Sequence, residues 1–365
     1  MNYFKNKFKN LLVYFKNLFK WIILAVIVGI AGGLIGSLFH ISVDYATELR
    51  LEHGWFIFLL PVGGLLITAM YMCFHKKGSI DTNLVIESVR SNKNIPIVMV
   101  PLIFISTVIT HMFGGSAGRE GAALQLGGGI GYNFGRLLRL KENEMPVILA
   151  SGMSSVFAAL FGTPLTAAVF SLEVVSVGVF HYAGFLPCVI SSITAFGVSQ
   201  MFGISPVRFD FVTFQAVSVQ MVVKVIILAI LCAFVSILFC TAIKKCEKYT
   251  KKFIKNKYLR ALIGSLIIIL LTLAIRTRDY NGAGMDVIER ALSGEAKPWA
   301  FVLKILFTAI TISAGFKGGE IVPAFFVGST FGCVIGSVLG LDAGFGAAIG
   351  FVALFCGVVN CPVAS

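Results

Sequence analysis

Residues Gly114–Gly131 read GGSAGREGAALQLGGGIG, between two apolar stretches of membrane length. Arg119 and Glu120 stand side by side within a dense run of glycines. Ionisable side chains inside a bilayer are costly and mark functional sites by default. Glycine lets a backbone unwind and approach a small ligand closely. The stretch therefore reads as a broken helix whose free amides and single carboxylate face an ion path.

The rest of the chain supplies the membrane. Of its 365 residues 57% are hydrophobic and 13% charged, with a mean hydropathy of +0.91, which excludes a soluble globular domain. The net charge of +13 falls in short clusters between apolar runs. That is the positive-inside pattern of a polytopic membrane protein rather than a nucleic-acid-binding surface. Residues 1–20, with Lys5, Lys7, Lys9, Lys16 and Lys20 among aromatics and leucines, read as a basic interfacial helix on the cytoplasmic face. No small-residue cleavage site follows. The cluster Lys244–Arg260 carries eight positive residues and one acid and belongs in the cytoplasm. The expected location is the cell (plasma or inner) membrane, in contact with the lipid bilayer.

Apolar segments are expected at 21–43, 55–74, Pro96–His111, 146–161, 164–180, 184–202, 216–243, 260–276, 298–315, 322–340 and 343–359. Several are short or interrupted by glycine, which implies broken or re-entrant helices around a protected cavity. Gly29 and Gly33, like Gly32 and Gly36, stand four apart and permit close helix packing. The eight cysteines form no CxxC pair and the five histidines no HExxH, so neither a metal site nor a cofactor site is expected. A membrane-embedded enzyme would need a nucleophile–base or metal cluster, and none can be assembled. His111 reads as a packing histidine.

Internal repetition gives the organisation. SAG occurs at Ser116–Gly118 and again at Ser313–Gly315, 197 residues on. Glycines four apart follow both copies, Gly127 and Gly131 against Gly328 and Gly332. GMSSVFAALFGTP (Gly152–Pro164) and GFVALFCGVVNCP (Gly350–Pro362) share one glycine-to-proline spacing, with their prolines 198 apart. The chain is read as a duplication, with a first membrane repeat at 21–202 and a second at 203–365. Binding sites in repeat-built transporters lie where the halves meet. Helix N-termini pointing inward from both halves suit an anion.

GREG at Gly118–Gly121, GGEIVP at Gly318–Pro323 and LFGTPLTAAVFSLE at Leu160–Glu173 strongly resemble the CLC family of chloride channels and anion/proton antiporters, from about residue 20 to the end. The resemblance implies an all-α polytopic membrane protein with an inverted repeat of broken and re-entrant helices, assembled as a homodimer. It implies transport of chloride or another small anion, with proton movement in the antiporter branch. Glu120 matches the gating glutamate, whose carboxylate competes with the anion and takes up protons from outside. Gly118, Arg119 and Gly121 surround it. Arg119 serves either local support or anion attraction. Glu320, Ile321 and Val322 fall where the family's second loop presents backbone amides to the anion.

The departures carry weight as well. The family's GSGIP-like loop corresponds here to Gly78–Thr82, and its anion-binding serine to Ser79 by spacing or Thr82 by helix register. Either supplies a hydroxyl, which points to chloride, because the fluoride-exporting branch replaces that serine with a residue lacking a hydroxyl. The proline after GREG is Ala122. The internal proton-transfer glutamate is Val174, which favours channel-like conduction, although the fluoride branch also lacks that acid and still couples to protons. The family continues through further helices, one with a central tyrosine, whereas this sequence stops three residues after Pro362. A fluoride/proton antiporter and a non-conducting remnant or accessory membrane protein are the alternative readings.

Overall fold

The computed structural model describes residues 2–74, 84, 85, 88, 94–175, 182–209 and 218–365, with backbone alone for 2–13. Among these residues are thirteen α-helices and no strand. They are α1 (Asn2–Glu52), α2 (Leu60–Phe74) behind a 3-10 turn at Gly54–Leu59, α3 (Met99–Met112), α4 (Glu120–Leu137), α5 (Met145–Phe161), α6 (Pro164–Glu173) and α7 (Tyr182–Met201). The second half carries α8 (Val219–Phe253), α9 (Lys257–Ile275), α10 (Met285–Leu292), α11 (Ala300–Ala314), α12 (Ile321–Val338) and α13 (Ala343–Val359).

The interfacial segment is not a separate element. The helix runs unbroken from Asn2 through the first span to Glu52, because no proline or glycine interrupts the chain before Gly29. Among the described residues, six helices are long and apolar enough to cross a bilayer. The helices Met99–Met112, Met145–Phe161, Ala300–Ala314 and Ala343–Val359 are shorter. At 1.5 Å per residue they fall short of the ~30 Å hydrocarbon core, so their ends lie at membrane depth inside protein. Sequence sets the breaks: Gly162 takes a left-handed conformation (φ 69°) and Pro164 opens α6.

Packing follows the glycines. A Cβ at Gly29 or Gly33 would meet α7 at Ser191 and Val198, and one at Gly32 or Gly36 would meet α5 at Ser155 and Ala159. The two pairs thus serve two different neighbours. Helices α4 and α5 cross with Gly127 against the carbonyl of Gly152 and Gly131 against that of Ile148. Helices α12 and α13 repeat the crossing with Gly328 against Gly350 and Gly332 against Gly346.

The repeat register differs at one place from the sequence reading. Ser313 and Ala314 end α11 and Gly315 caps it at φ 103°, whereas Ser116–Gly118 lie in the loop beyond α3. The two SAG triplets occupy different positions. The glycine equivalent to Gly315 is Gly114, one residue past the Phe113 cap of α3 and also left-handed at φ 83°, and from there to Gly332 the halves match 201 residues apart.

Candidate functional site

The two loops meet at the centre of the molecule. Gly118 N–H donates to Gly319 O at 2.8 Å and Gly319 N–H to Gly118 O at 2.6 Å, an isolated antiparallel bridge. Cross-braces flank it. Ser116 N–H donates to Thr311 Oγ1 of α11 at 3.0 Å, and Lys317 N–H donates to Thr110 Oγ1 of α3 at 3.3 Å. These residues are also 201 apart, so each half holds the other's loop by the same bond. Buried backbone donors need partners, and in these four bonds the partner comes from the opposite half.

Glu120 opens α4 directly after this bridge and is fully buried. Its Oε2 accepts from Val322 N–H in the first turn of α12 at 3.3 Å. The backbone N–H groups of Glu120 itself and of Arg119 also favour the charged carboxylate, whereas Oε1 is buried with no partner. The glycines make room for this placement. A Cβ on Gly118 would collide with Glu120 Oε2, and one on Gly319 would come within 2.6 Å of Gly121 N. A carboxylate at two helix N-termini is electrostatically matched to their dipoles.

The structure therefore brings Gly118, Arg119, Glu120, Gly121, Glu320, Ile321 and Val322 to one place. It also separates their parts. The Gly118 amide is committed to the opposite loop, and the Val322 amide is held by Glu120. Arg119 Nη1 pairs with Asp44 Oδ1 of α1 at 2.5 Å, so its charge is compensated by a helix outside the loop. Glu320, the cap residue of α12, has Glu247 and Lys244 of α8 as its charged neighbours. Ser79 and Thr82 lie outside the described residues. Glu173 ends α6 and accepts from Val363 N–H at 3.1 Å and Ala364 N–H at 2.9 Å. Beside it, Val174 is half-buried.

A cavity of about 320 Å³ lies against Glu120, lined by Arg119, Asp44, His111 and the rings of Phe157, Phe170, Phe325 and Phe355. Sequence reading missed Asp44 and its partner His40, whose Nε2 lies 3.0 Å from Asp44 Oδ2. The signal was present. The first span was taken to end at 43, one residue short of an intramembrane acid.

A helical membrane protein in which two opposed loops aim helix N-termini at a buried carboxylate belongs to the class of anion-pathway proteins. The family described as voltage gated chloride channel matches residues 63–365. The chain belongs to that family. A chloride/fluoride channel protein of Pseudomonas syringae pv. tomato is 37% identical over 355 residues, covering 95% of this chain and 78% of that protein. A solved CLC-type fluoride/proton antiporter superposes with a TM-score of 0.90 at 28% identity, covering 95% of this chain and 89% of that one. A slow cyanobacterial Cl⁻/H⁺ antiporter shares the fold with a TM-score of 0.74 at 18% identity, over 94% of this chain and 93% of the other.

Proposed function

We propose that this chain passes small halide anions across the membrane along a path gated by Glu120. The observation that carries the reading is the bond from Val322 N–H to Glu120 Oε2. The carboxylate stands where the N-terminus of α12 would otherwise hold an anion. Protonation removes the charge that binds it there, and a halide takes its place at the amides of Gly121, Glu320, Ile321 and Val322. Arg119, paired to Asp44, fixes the start of α4 more than it attracts the anion. Ser79 or Thr82 supplies a hydroxyl to the anion, as the resemblance implies, and the working unit is a homodimer.

Chloride is the ion that the hydroxyl reading selects. Fluoride is the second reading. It is supported by the names of two relatives, the Pseudomonas chloride/fluoride channel protein and the fluoride/proton antiporter that superposes over most of this chain. The test is efflux from liposomes holding the purified protein, read with chloride and fluoride electrodes across a pH series. Wild-type efflux is expected to rise as pH falls, and Glu120→Gln to conduct independently of pH. No efflux of either ion from wild type would end the reading in favour of a non-conducting protein. Proton uptake in fixed ratio to anion release would replace the channel reading drawn from Val174 with exchange.

A further inference from the structure

We propose that His111 is the proton partner of Glu120, exchanging a proton with its carboxyl across the cavity that both line. The inference rests on Glu120 as the gate and adds the group that loads it. His111 sits in the last turn of α3 and is 2% exposed. Its Nδ1 lies 2.9 Å from the Thr107 carbonyl. A carbonyl oxygen only accepts, so Nδ1 carries the hydrogen, and in the neutral ring Nε2 keeps a free lone pair. That Nε2 is buried without a partner, and so is Glu120 Oε1. Both residues line the same cavity, and the two unpartnered atoms are chemically complementary. A protonated carboxyl must donate somewhere, and Nε2 can accept.

Charged groups from several elements bear on this pair. Asp44 and Arg50 of α1 and Arg119 at the head of α4 are the charges that act on His111. Arg119 and Asp44 are paired with each other. On the α2 side, Tyr71 bonds to Ser106 of α3 and lies under the Lys317 ammonium at 4.5 Å. Asp44 also lines the cavity and its side chain is 47% exposed. It stands 24 residues beyond Lys20 on one helix, ~36 Å along the axis, which places it at the outer end if Lys20 marks the inner. Protons from the outer solution thus reach the cavity past Asp44.

The step balances. The Nε2–H bond of the imidazolium breaks and the Oε1–H bond of Glu120 forms, directly or through a cavity water. The imidazole is left neutral and the carboxyl uncharged, so the bond from Val322 N–H to Oε2 loses its charge assistance and weakens. A hydronium ion from outside then restores Nε2–H.

The experiment measures halide efflux against pH for wild type, His111→Asn, His111→Ala with and without added imidazole, and Glu120→Gln. His111→Asn keeps a donor near Nδ1 for Thr107 and puts nothing at Nε2. It is expected to slow efflux at pH 7 by about a hundredfold, the lower end of what a positioned acid–base group contributes, and to approach wild type at acid pH. Imidazole is expected to restore His111→Ala. If His111→Asn keeps the wild-type profile while Glu120→Gln abolishes pH dependence, the His111 proposal fails and the gate stands. If Glu120→Gln keeps the wild-type profile, the gate itself fails. A His111→Asn protein that is slow at every pH, with no rescue of His111→Ala by imidazole, assigns His111 to packing and overturns the proposal.

Discussion

At the head of α4 the chain places Glu120, whose carboxylate crosses to the other half and bonds Val322 N–H. At the matching head of α12 it places Ile321, and the adjacent Glu320 lies toward Glu247 and Lys244 of α8 instead. Around these positions the backbones agree in detail. The threonine braces, the left-handed glycines and the glycine helix crossings all recur 198 to 201 residues apart. The scaffold was kept twice and the titratable group once. A symmetric frame with one carboxylate at its centre has two sets of helix N-termini and a single titratable occupant.

Breaking the frame gives the largest expected effect. Gly127→Val and Gly332→Val would each drive a side chain into a facing carbonyl, of Gly152 and Gly346 respectively. Both are expected to abolish a monodisperse peak in detergent size-exclusion chromatography. Gly197→Ala is the control, since a Cβ there meets nothing within 4 Å. If one crossing tolerates valine and the other does not, the two halves are not mechanically equivalent.

Next comes the bond that distinguishes the halves. Asp44→Asn frees Arg119 beside Glu120, and an uncompensated cation favours a neighbouring carboxylate. Acid activation of efflux is expected to move to lower pH by about one unit, read from the same liposome series. An unmoved profile would show that Arg119 finds another partner. Glu173→Gln weakens the two bonds by which the first half caps the turn at 361–365. Hydrogen bonds to a charged group are worth roughly 1.5–3 kcal/mol, so a fall in Tm of a few degrees is expected, with efflux per folded protein unchanged.

The smallest effect lies at the Lys20–Glu144 pair. The Lys20 ammonium bonded to Glu144 holds that carboxyl below its ordinary value. A lowered carboxylate contributes stability that is full above its unfolded pKa and is lost as pH falls through the folded one. Lys20→Ala is therefore expected to lower Tm slightly at pH 7, by under ~1 kcal/mol of stability, and to match wild type once the pH lies below the lowered carboxyl's titration range.

Much of this was legible in the residues. Helices α5, α11 and α13 fall within two residues of their expected limits, because glycine, proline and apolar length mark membrane helices strongly. The Gly29–Gly36 pairs found their neighbours as spacing required. The loops were also legible, since a lone acid among glycines at membrane depth has few structural explanations. What sequence hid was pairing across the fold. Thr110 and Thr311 look like ordinary apolar-helix threonines until the opposite loop arrives. Asp44 fell beyond a span boundary drawn one residue early, and His111 carried no spacing signal, because its relation to Glu120 lies in a cavity. The SAG triplets misled by chance identity, whereas the glycines that touch a neighbouring helix kept the true register.

The reciprocal threonine braces have a consequence in time. The loop at Ser116 leans on Thr311, which the ribosome adds 195 residues later. At ~5–20 residues per second, that is roughly 10–40 s during which the first loop waits with its buried donors unpaired. A nascent chain in that interval has its carboxylate without its second helix N-terminus. The anion path of this protein closes only when synthesis of the second half has passed α11, so each half acts as the other's last folding step.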